Sequence, residues 1–100
     1  MNESNITAAK SIIGEKVKNT EGQDLGTVKE LLLDTESGKI EYGVISYGGI
    51  LGIGNKDIAV PYEAFITNKD EDFFTLNVDK DIIEKTTSQI EYDGKTYFIY

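Results

Sequence analysis

The sequence predicts a single, mainly β domain in which short strands form a barrel or a sandwich. Turn signals recur about every 8–12 residues, which is the spacing of short strands in all-β folds. Apolar and polar residues alternate between several of these turns, as they do in Lys39–Tyr47. One hundred residues with an apolar fraction of 39% suit one folded domain of ordinary globular composition.

The first three strands are separated by glycine-containing turns. We predict a short strand over Glu15–Asn19, a longer one over Leu25–Asp34 and a third over Lys39–Tyr47. Strict alternation in the second strand places Leu31 and Leu32 on opposite faces of the sheet. The run of three leucines at 31–33 therefore predicts that the end of this strand is covered on both faces.

Two further strands and one helix follow. Asp57–Val60 is predicted as a fourth strand, and Pro61 ends it because proline has no N–H to donate to a sheet. Phe73–Val78 is predicted as the fifth. Asp79–Thr87 is the one stretch with helical character, because its first residue can cap the first turn.

The C-terminal residues predict a β-hairpin centred on the Asp-Gly pair at 93–94. This pair favours a type I′ turn, whose twist matches that of the flanking strands. In that register Tyr92 faces Lys95, and Ile90 faces Tyr97. Ile90 and Tyr97 therefore share one face of the hairpin, and Phe98 falls on the other. The hairpin carries apolar residues on both of its faces.

Phe98 and Tyr100 are predicted to contact a partner. They fall on the face of the hairpin opposite Ile90 and Tyr97. A hairpin with two apolar faces needs to be covered once by its own barrel and once by something else. We therefore expect homodimerisation or strand addition through this tail. Tyr97 and Tyr100 are the tyrosines expected to be partly exposed.

Several short motifs follow one another between residues 12 and 65. They are Ile13-Gly14 with Val17, Gly22, Leu25-Gly26-Thr27-Val28, Leu33-Asp34, Ser37-Gly38-Lys39-Ile40, Tyr47–Gly54 and Ala59-Val60-Pro61-Tyr62-Glu63. In their order and spacing these motifs resemble the PRC-barrel family, and most closely its stand-alone bacterial and archaeal members. The resemblance implies a small, strongly bent β-barrel followed by one short helix. We expect one domain over residues 1–100, with the barrel core at 11–78, the helix at 79–87 and the C-terminal hairpin at 89–100.

The resemblance also bears on function. Where the role of a PRC-barrel is understood, the domain is a protein–protein contact module, and no catalytic residue set is carried over to this chain. The hairpin after Thr87 is not among the elements that resemble the family.

The missing residue types argue against most enzyme chemistries. The chain contains no histidine and no cysteine, so neither a Ser-His-Asp nor a Cys-His arrangement can be built. Zinc bound by imidazole or thiolate is excluded for the same reason. We expect no enzymatic activity, no cofactor and no metal. The acidic clusters at 70–72 and 79–81 are best explained as solvated turns, although an oxygen-coordinated cation stays open.

The charge argues against direct binding to nucleic acid. The formal net charge is −8, and nucleic-acid affinity comes largely from neutralising phosphates with basic side chains. The chain begins without the basic and then apolar order of a signal peptide, and no apolar run approaches the ~20 residues of a membrane-spanning helix. We therefore expect a cytoplasmic protein with no membrane span.

The glycine-rich segment at 48–54 is the most conspicuous motif. Its spacing is neither the dinucleotide pattern nor a Walker A sequence, and a strand follows it rather than a helix. Its aliphatic residues Ile50, Leu51 and Ile53 leave two interpretations open. They either plug an open end of the barrel or form an exposed apolar tip that contacts a partner.

These observations together predict a non-enzymatic module for protein–protein interaction or assembly. The alternative is an accessory factor in RNA metabolism or ribosome maturation that reaches RNA through a protein partner. Ribosomal proteins are commonly basic, so an acidic module could bind one electrostatically.

Overall fold

The computed structural model describes residues 6–48, 55–67 and 71–100. It is mainly β, as predicted, with eight strands in one sheet and two short helices. In chain order the elements are α1 (Ala9–Ile12), β1 (Lys16–Asn19), β2 (Asp24–Leu33), β3 (Ile40–Tyr47), β4 (Lys56–Pro61), a 3-10 turn (Tyr62–Ala64), β5 (Phe65–Thr67), β6 (Phe73–Leu76), α2 (Lys80–Lys85), β7 (Gln89–Tyr92) and β8 (Lys95–Ile99).

The sheet has the strand order β5-β6-β1-β2-β3-β4-β8-β7. Neighbouring strands are antiparallel except for two parallel pairs, β1 with β6 and β4 with β8. Over the described residues the sheet is not closed into a barrel, and β5 and β7 form its two edges. An open but sharply curved sheet is compatible with the bent PRC-type barrel that we expected.

Two irregularities bend the long central hairpin of β2 and β3. Val28 pairs with Ile45 and Glu30 pairs with Val44, so Lys29 is an extra residue in β2. A second shift makes Glu41 the extra residue in β3. An extra residue bends a strand and redirects the side chains that follow it. The strict alternation predicted for β2 therefore does not hold along its whole length.

The apolar side chains of the described residues form two clusters. The larger one includes Val28, Ile58 and Leu76, all fully buried, and Ile83 joins it from α2. The smaller one, on the other face of the sheet, consists of three buried residues: Val44, Ala59 and Tyr97.

The end of β2 is covered on both of its faces only in part. Leu31 packs against the larger cluster, and Leu32 packs against the smaller one, as predicted. Leu33, the last residue of the strand, is 55% exposed, so the cover does not extend to it.

Three short elements were not predicted from the sequence. Helix α1 has four residues, β5 has three and the 3-10 turn has three. Strand β5 belongs to the same sheet and presses Phe65 onto Gly43, where an added Cβ would lie 2.6 Å from the phenyl ring. The close approach of that ring explains the glycine in the interior of β3.

Candidate interaction site

The predicted partner-contact residues fall into three groups. Ile50, Leu51 and Ile53 lie outside the described residues. Phe98 is half-buried against the larger apolar cluster, and the Lys56 ammonium lies 4.8 Å from the centre of its ring. Tyr100 is 40% exposed. Of the predicted contacts that the structure describes, Tyr100 is therefore the more exposed one.

The C-terminal hairpin forms in the predicted register. Tyr92 pairs with Lys95 and Ile90 with Tyr97, and φ is positive at both Asp93 and Gly94, as a type I′ turn requires. Strand β8 then extends the sheet through parallel pairing with β4. One face of the hairpin thus packs against the larger apolar cluster, and the other face packs against the smaller one. The chain itself therefore covers both faces of the hairpin.

Tyr97 is buried rather than partly exposed, which corrects the prediction. It is only 4% accessible, and its hydroxyl donates to Glu30 Oε2 at 2.6 Å. Lys95 binds the other oxygen of the same carboxylate at 3.0 Å. The carboxylate satisfies the buried polar tip of the tyrosine, which removes the reason for expecting it at the surface.

The contact between Tyr97 and Glu30 shifts the pKa of both groups. The hydrogen bond from Tyr97 lowers the pKa of the Glu30 carboxyl below its usual value, and Lys95 adds to this effect. Burial, followed by the hydrogen bond to Glu30, raises the pKa of Tyr97 to about 12. This contact joins β8 to β2, two strands that are not neighbours in the sheet, and so holds the hairpin over the curved face.

Helix α2 attaches the other side of the hairpin to the core. Thr86 Oγ1 donates to the Ile99 carbonyl at 2.8 Å, and the Lys56 ammonium donates to the carbonyls of Glu84 and Thr86. The Tyr47 hydroxyl donates to the Glu84 carboxylate at 2.6 Å, and burial raises the pKa of Tyr47 well above its usual value. These bonds fix the start and the end of the hairpin.

A groove of about 750 Å³ lies between the turn of this hairpin and the adjoining ends of β2 and β3. We refer to the apolar and aromatic residues that line this groove as its floor. Leu33 is 55% exposed and Tyr92 is 43% exposed, which are high values for large apolar side chains. Five floor residues come from three strands: Leu31, Leu32, Leu33, Tyr42 and Tyr92.

The two floor tyrosines contact each other. The ring centres of Tyr42 and Tyr92 lie 5.9 Å apart with a 38° angle between the planes. The neighbouring Tyr92 side chain, followed by burial, raises the pKa of the Tyr42 hydroxyl. This pair connects the hairpin to β3 and forms the aromatic part of the groove floor.

The rim of the groove is acidic. Asp34, Glu41 and Asp93 line it together with Thr35, and all four are exposed. Of the described residues that line the groove, none is basic. This site was not predicted from the sequence. The leucine run at 31–33 was its one local signal, and we interpreted that run only as a sign of burial.

A second feature of the hairpin is the open edge of β7. The Ser88 carbonyl accepts from the Ile99 N–H at 2.9 Å, which sets the alternation of bonds between β7 and β8. In that alternation the backbone N–H and C=O groups of Gln89 and Glu91 point away from β8. No strand among residues 6–48, 55–67 and 71–100 lies beside them.

The family model for the PRC-barrel domain matches residues 5–83, which is more than three quarters of the chain. The chain belongs to the PRC-barrel family. A comparison of the chain with curated proteins found no match. The match confirms the resemblance that the motifs between residues 12 and 65 indicated.

The match divides the groove of this PRC-barrel protein. Leu33, Asp34 and Glu41 lie within the matched residues, whereas Tyr92 and Asp93 follow their end. The C-terminal hairpin, which did not resemble the family, is indeed outside the matched range. The groove therefore combines a surface of the family domain with an element that the family match does not include.

Two acidic turns of this PRC-barrel protein have local structural roles. The Asp34 carboxylate accepts from the backbone N–H groups of Glu36 and Ser37, and that of Asp79 accepts from the Asp81 N–H at the start of α2. The described part of the chain contains no cluster of three potential metal ligands. Within the same residues, no helix has the length and apolar character needed to cross a membrane.

Proposed function

We propose that this PRC-barrel protein is a non-enzymatic module for protein–protein interaction or assembly, and that the groove beside its C-terminal hairpin is the contact surface. The observation that carries the proposal is the exposure of Leu33 and Tyr92 within one concave site. Exposed apolar residues that are grouped in a groove, rather than scattered, are typical of binding surfaces.

The residue types of the groove support binding rather than catalysis. Its lining offers carboxylates, one threonine hydroxyl and tyrosines, and the chain has no histidine or cysteine to act as base or nucleophile near neutral pH. We propose that it carries out this function in the cytoplasm.

The experiment that tests the groove compares two variants, each of which replaces one exposed aliphatic side chain with serine. Leu33→Ser removes apolar surface inside the groove, and Ile82→Ser removes it on α2, where the isoleucine is also 55% exposed. Full burial of a leucine contributes about 1.5–3 kcal/mol. A partner that covers the exposed half of Leu33 therefore gains about 1 kcal/mol from it, or roughly fivefold in affinity.

The measurement is quantitative affinity purification from native cells with each tagged variant, followed by mass spectrometry. We expect the proteins that the unmodified chain retains to be depleted with Leu33→Ser and retained with Ile82→Ser. Equal recovery with both variants would show that the groove is not the contact surface.

Assembly through the tail is a separate part of the proposal, and the open edge of β7 supports it. A second copy or another strand can pair with the outward backbone groups of Gln89 and Glu91. Glu91→Pro removes one outward N–H while leaving the bonds to β8 in place, and Glu91→Ala is its control. We expect light scattering to report a smaller particle for Glu91→Pro but not for Glu91→Ala. If the unmodified chain is a monomer, homodimerisation is contradicted.

The accessory role in RNA metabolism is the second candidate function. The acidic rim of the groove and the net charge of −8 favour a basic protein, such as a ribosomal protein, as the intermediary. Co-sedimentation with ribosomal particles that is lost on raising the salt concentration would support this role. Absence of co-sedimentation at low salt would argue against it.

A further inference from the structure

We infer that the groove binds a segment of another protein in which basic residues flank an apolar side chain. This inference rests on the proposed function and specifies the chemistry of the partner. An apolar floor surrounded by carboxylates matches such a segment in two ways, because its apolar side chain can cover Leu33 and its basic ends can reach the rim.

The rim requires positive charge from whatever covers the floor. Asp34, Glu41 and Asp93 are exposed and solvated in the free protein. A neutral apolar partner would remove water from these carboxylates without replacing its hydrogen bonds, which is unfavourable. Lysine and arginine avoid that cost, since their aliphatic stems pack on apolar surface while their charged ends reach carboxylates.

The aromatic floor favours the same partner. Tyr42 and Tyr92 lie together at 5.9 Å, and a cation above a tyrosine ring is attracted by its π electrons. The same protein already places Lys18 4.7 Å from the ring centre of Phe73. A basic segment can therefore interact with the floor as well as with the rim.

One carboxylate of the rim, that of Asp34, is held in place before any partner binds. Both hydrogen bonds to Asp34 use Oδ1, which leaves Oδ2 able to accept from a cation. Asp93 belongs to the tight hairpin turn with positive φ, and Glu41 lies at the bulge of β3, so the backbone sets where these two side chains begin. The Asp34 carboxylate therefore loses little conformational entropy when a cation binds.

Charge also argues against two copies of this chain meeting groove to groove. Such a contact would place the three carboxylates of one rim beside those of the other, and none of the described lining residues is basic. A partner segment with basic residues is attracted by the same carboxylates, and its association rate falls as salt rises.

The test selects peptides from a random displayed library of 12-residue segments on the full-length protein. The selected peptides are then synthesised, and their affinities are measured by fluorescence anisotropy. We expect a consensus with two or more lysines or arginines around one aliphatic or aromatic residue. Competition between peptides, together with the Leu33→Ser variant, identifies those that bind the groove.

Two matched triple variants measure the role of the rim. Asp34→Asn, Glu41→Gln and Asp93→Asn together remove three charges from the groove while keeping shape. Asparagine preserves the turn bonds at 34 and suits the type I′ turn at 93. The control removes three exposed charges elsewhere, by Glu21→Gln, Glu63→Gln and Asp72→Asn.

We expect the rim variant to weaken the selected peptides by about 1.5- to 5-fold for each charge removed. The control variant, which has the same net charge, should weaken them by less than about twofold. Binding to the unmodified protein should also fall as salt rises from low to physiological concentration.

The outcomes separate this inference from the proposed function. Peptides that depend on Leu33 but bind both triple variants equally, or a consensus without basic residues, would overturn the basic partner and leave the groove as a contact surface. Binding that is independent of Leu33 would overturn both. A homodimer dissolved by Leu33→Ser would support assembly through the groove and refute a basic segment as its occupant.

Discussion

The hydrogen bond between Tyr97 and Glu30 is expected to hold the C-terminal hairpin against the rest of the protein. The two residues are 67 positions apart in sequence, and their side chains meet at 2.6 Å. The substitution Tyr97→Phe removes the hydroxyl and keeps the ring that packs in the smaller cluster. Glu30 then retains Lys95 at 3.0 Å but loses its partner from the protein interior.

The expected cost follows from the charge on Glu30 and the burial of Tyr97. A hydrogen bond to a charged group contributes about 1.5–3 kcal/mol to stability. Because Lys95 still pairs with the carboxylate, we expect a loss near the lower half of that range, about 2 kcal/mol. For a domain of this size each kcal/mol lowers Tm by roughly 4–8 °C.

The effect should depend on pH at both ends of the range. The folded state lowers the pKa of Glu30, so its contribution is present above the unfolded pKa near 4.5 and is lost as pH falls through the lower folded value. The folded state raises the pKa of Tyr97 from 10.0 to about 12, so that contribution is present below pH 10 and is lost as pH rises through 12. The difference between Tyr97→Phe and the unmodified protein should therefore be greatest between these limits.

A double-mutant cycle with Glu30→Ala, which leaves no acceptor for the Tyr97 hydroxyl, isolates the contact when it is measured by urea unfolding at pH 7. The loss of the Lys95 pair occurs in both arms and cancels, so the cycle should return a coupling of about 1.5–2 kcal/mol. Tyr100→Phe is the control in the same hairpin, because Tyr100 is exposed, and it should be neutral within about 0.5 kcal/mol. A coupling below about 0.5 kcal/mol would refute the reasoning.

Three other substitutions test the rest of the fold by thermal unfolding. Gly43→Ala should cost about 1–3 kcal/mol because its Cβ would meet the Phe65 ring at 2.6 Å, and adding Phe65→Leu should recover part of that loss. Asp79→Ala should cost about 1 kcal/mol, since the carboxylate caps α2 by accepting from the Asp81 N–H at 2.8 Å, and Asp79→Asn should not. Lys56→Met should cost about 1 kcal/mol, because the ammonium binds two carbonyls at the end of α2, and an unchanged Tm would contradict that role.

The elements that local chemistry specifies could be predicted from the sequence. Strands β1 to β4 and β6 lie within about two residues of the predicted ranges, because turns and alternation mark their limits. The Asp-Gly pair fixed the register of the terminal hairpin through its positive φ values. Pro61 ends β4, as the missing N–H required.

The groove could not be predicted because it depends on contacts between distant parts of the chain. The extra residues Lys29 and Glu41 bend β2 and β3, and no local sequence pattern predicts a bulge at either position. The burial of Tyr97 requires Glu30, which the sequence places 67 residues away. Periodicity describes one strand at a time, so it cannot show that the hairpin turn lies beside the end of β2.

The division of the groove between matched and unmatched residues limits what the PRC-barrel family can say about this chain. A domain ending at residue 83 would keep Leu33, Asp34 and Glu41 but would have neither Tyr92 nor Asp93. It would also lack Tyr97, whose contact with Glu30 holds the hairpin in place. The proposed binding at the groove is therefore a property that the hairpin would add to the family domain. It follows that a substitution which loosens the hairpin, such as Tyr97→Phe, should weaken partner binding without altering a single groove residue.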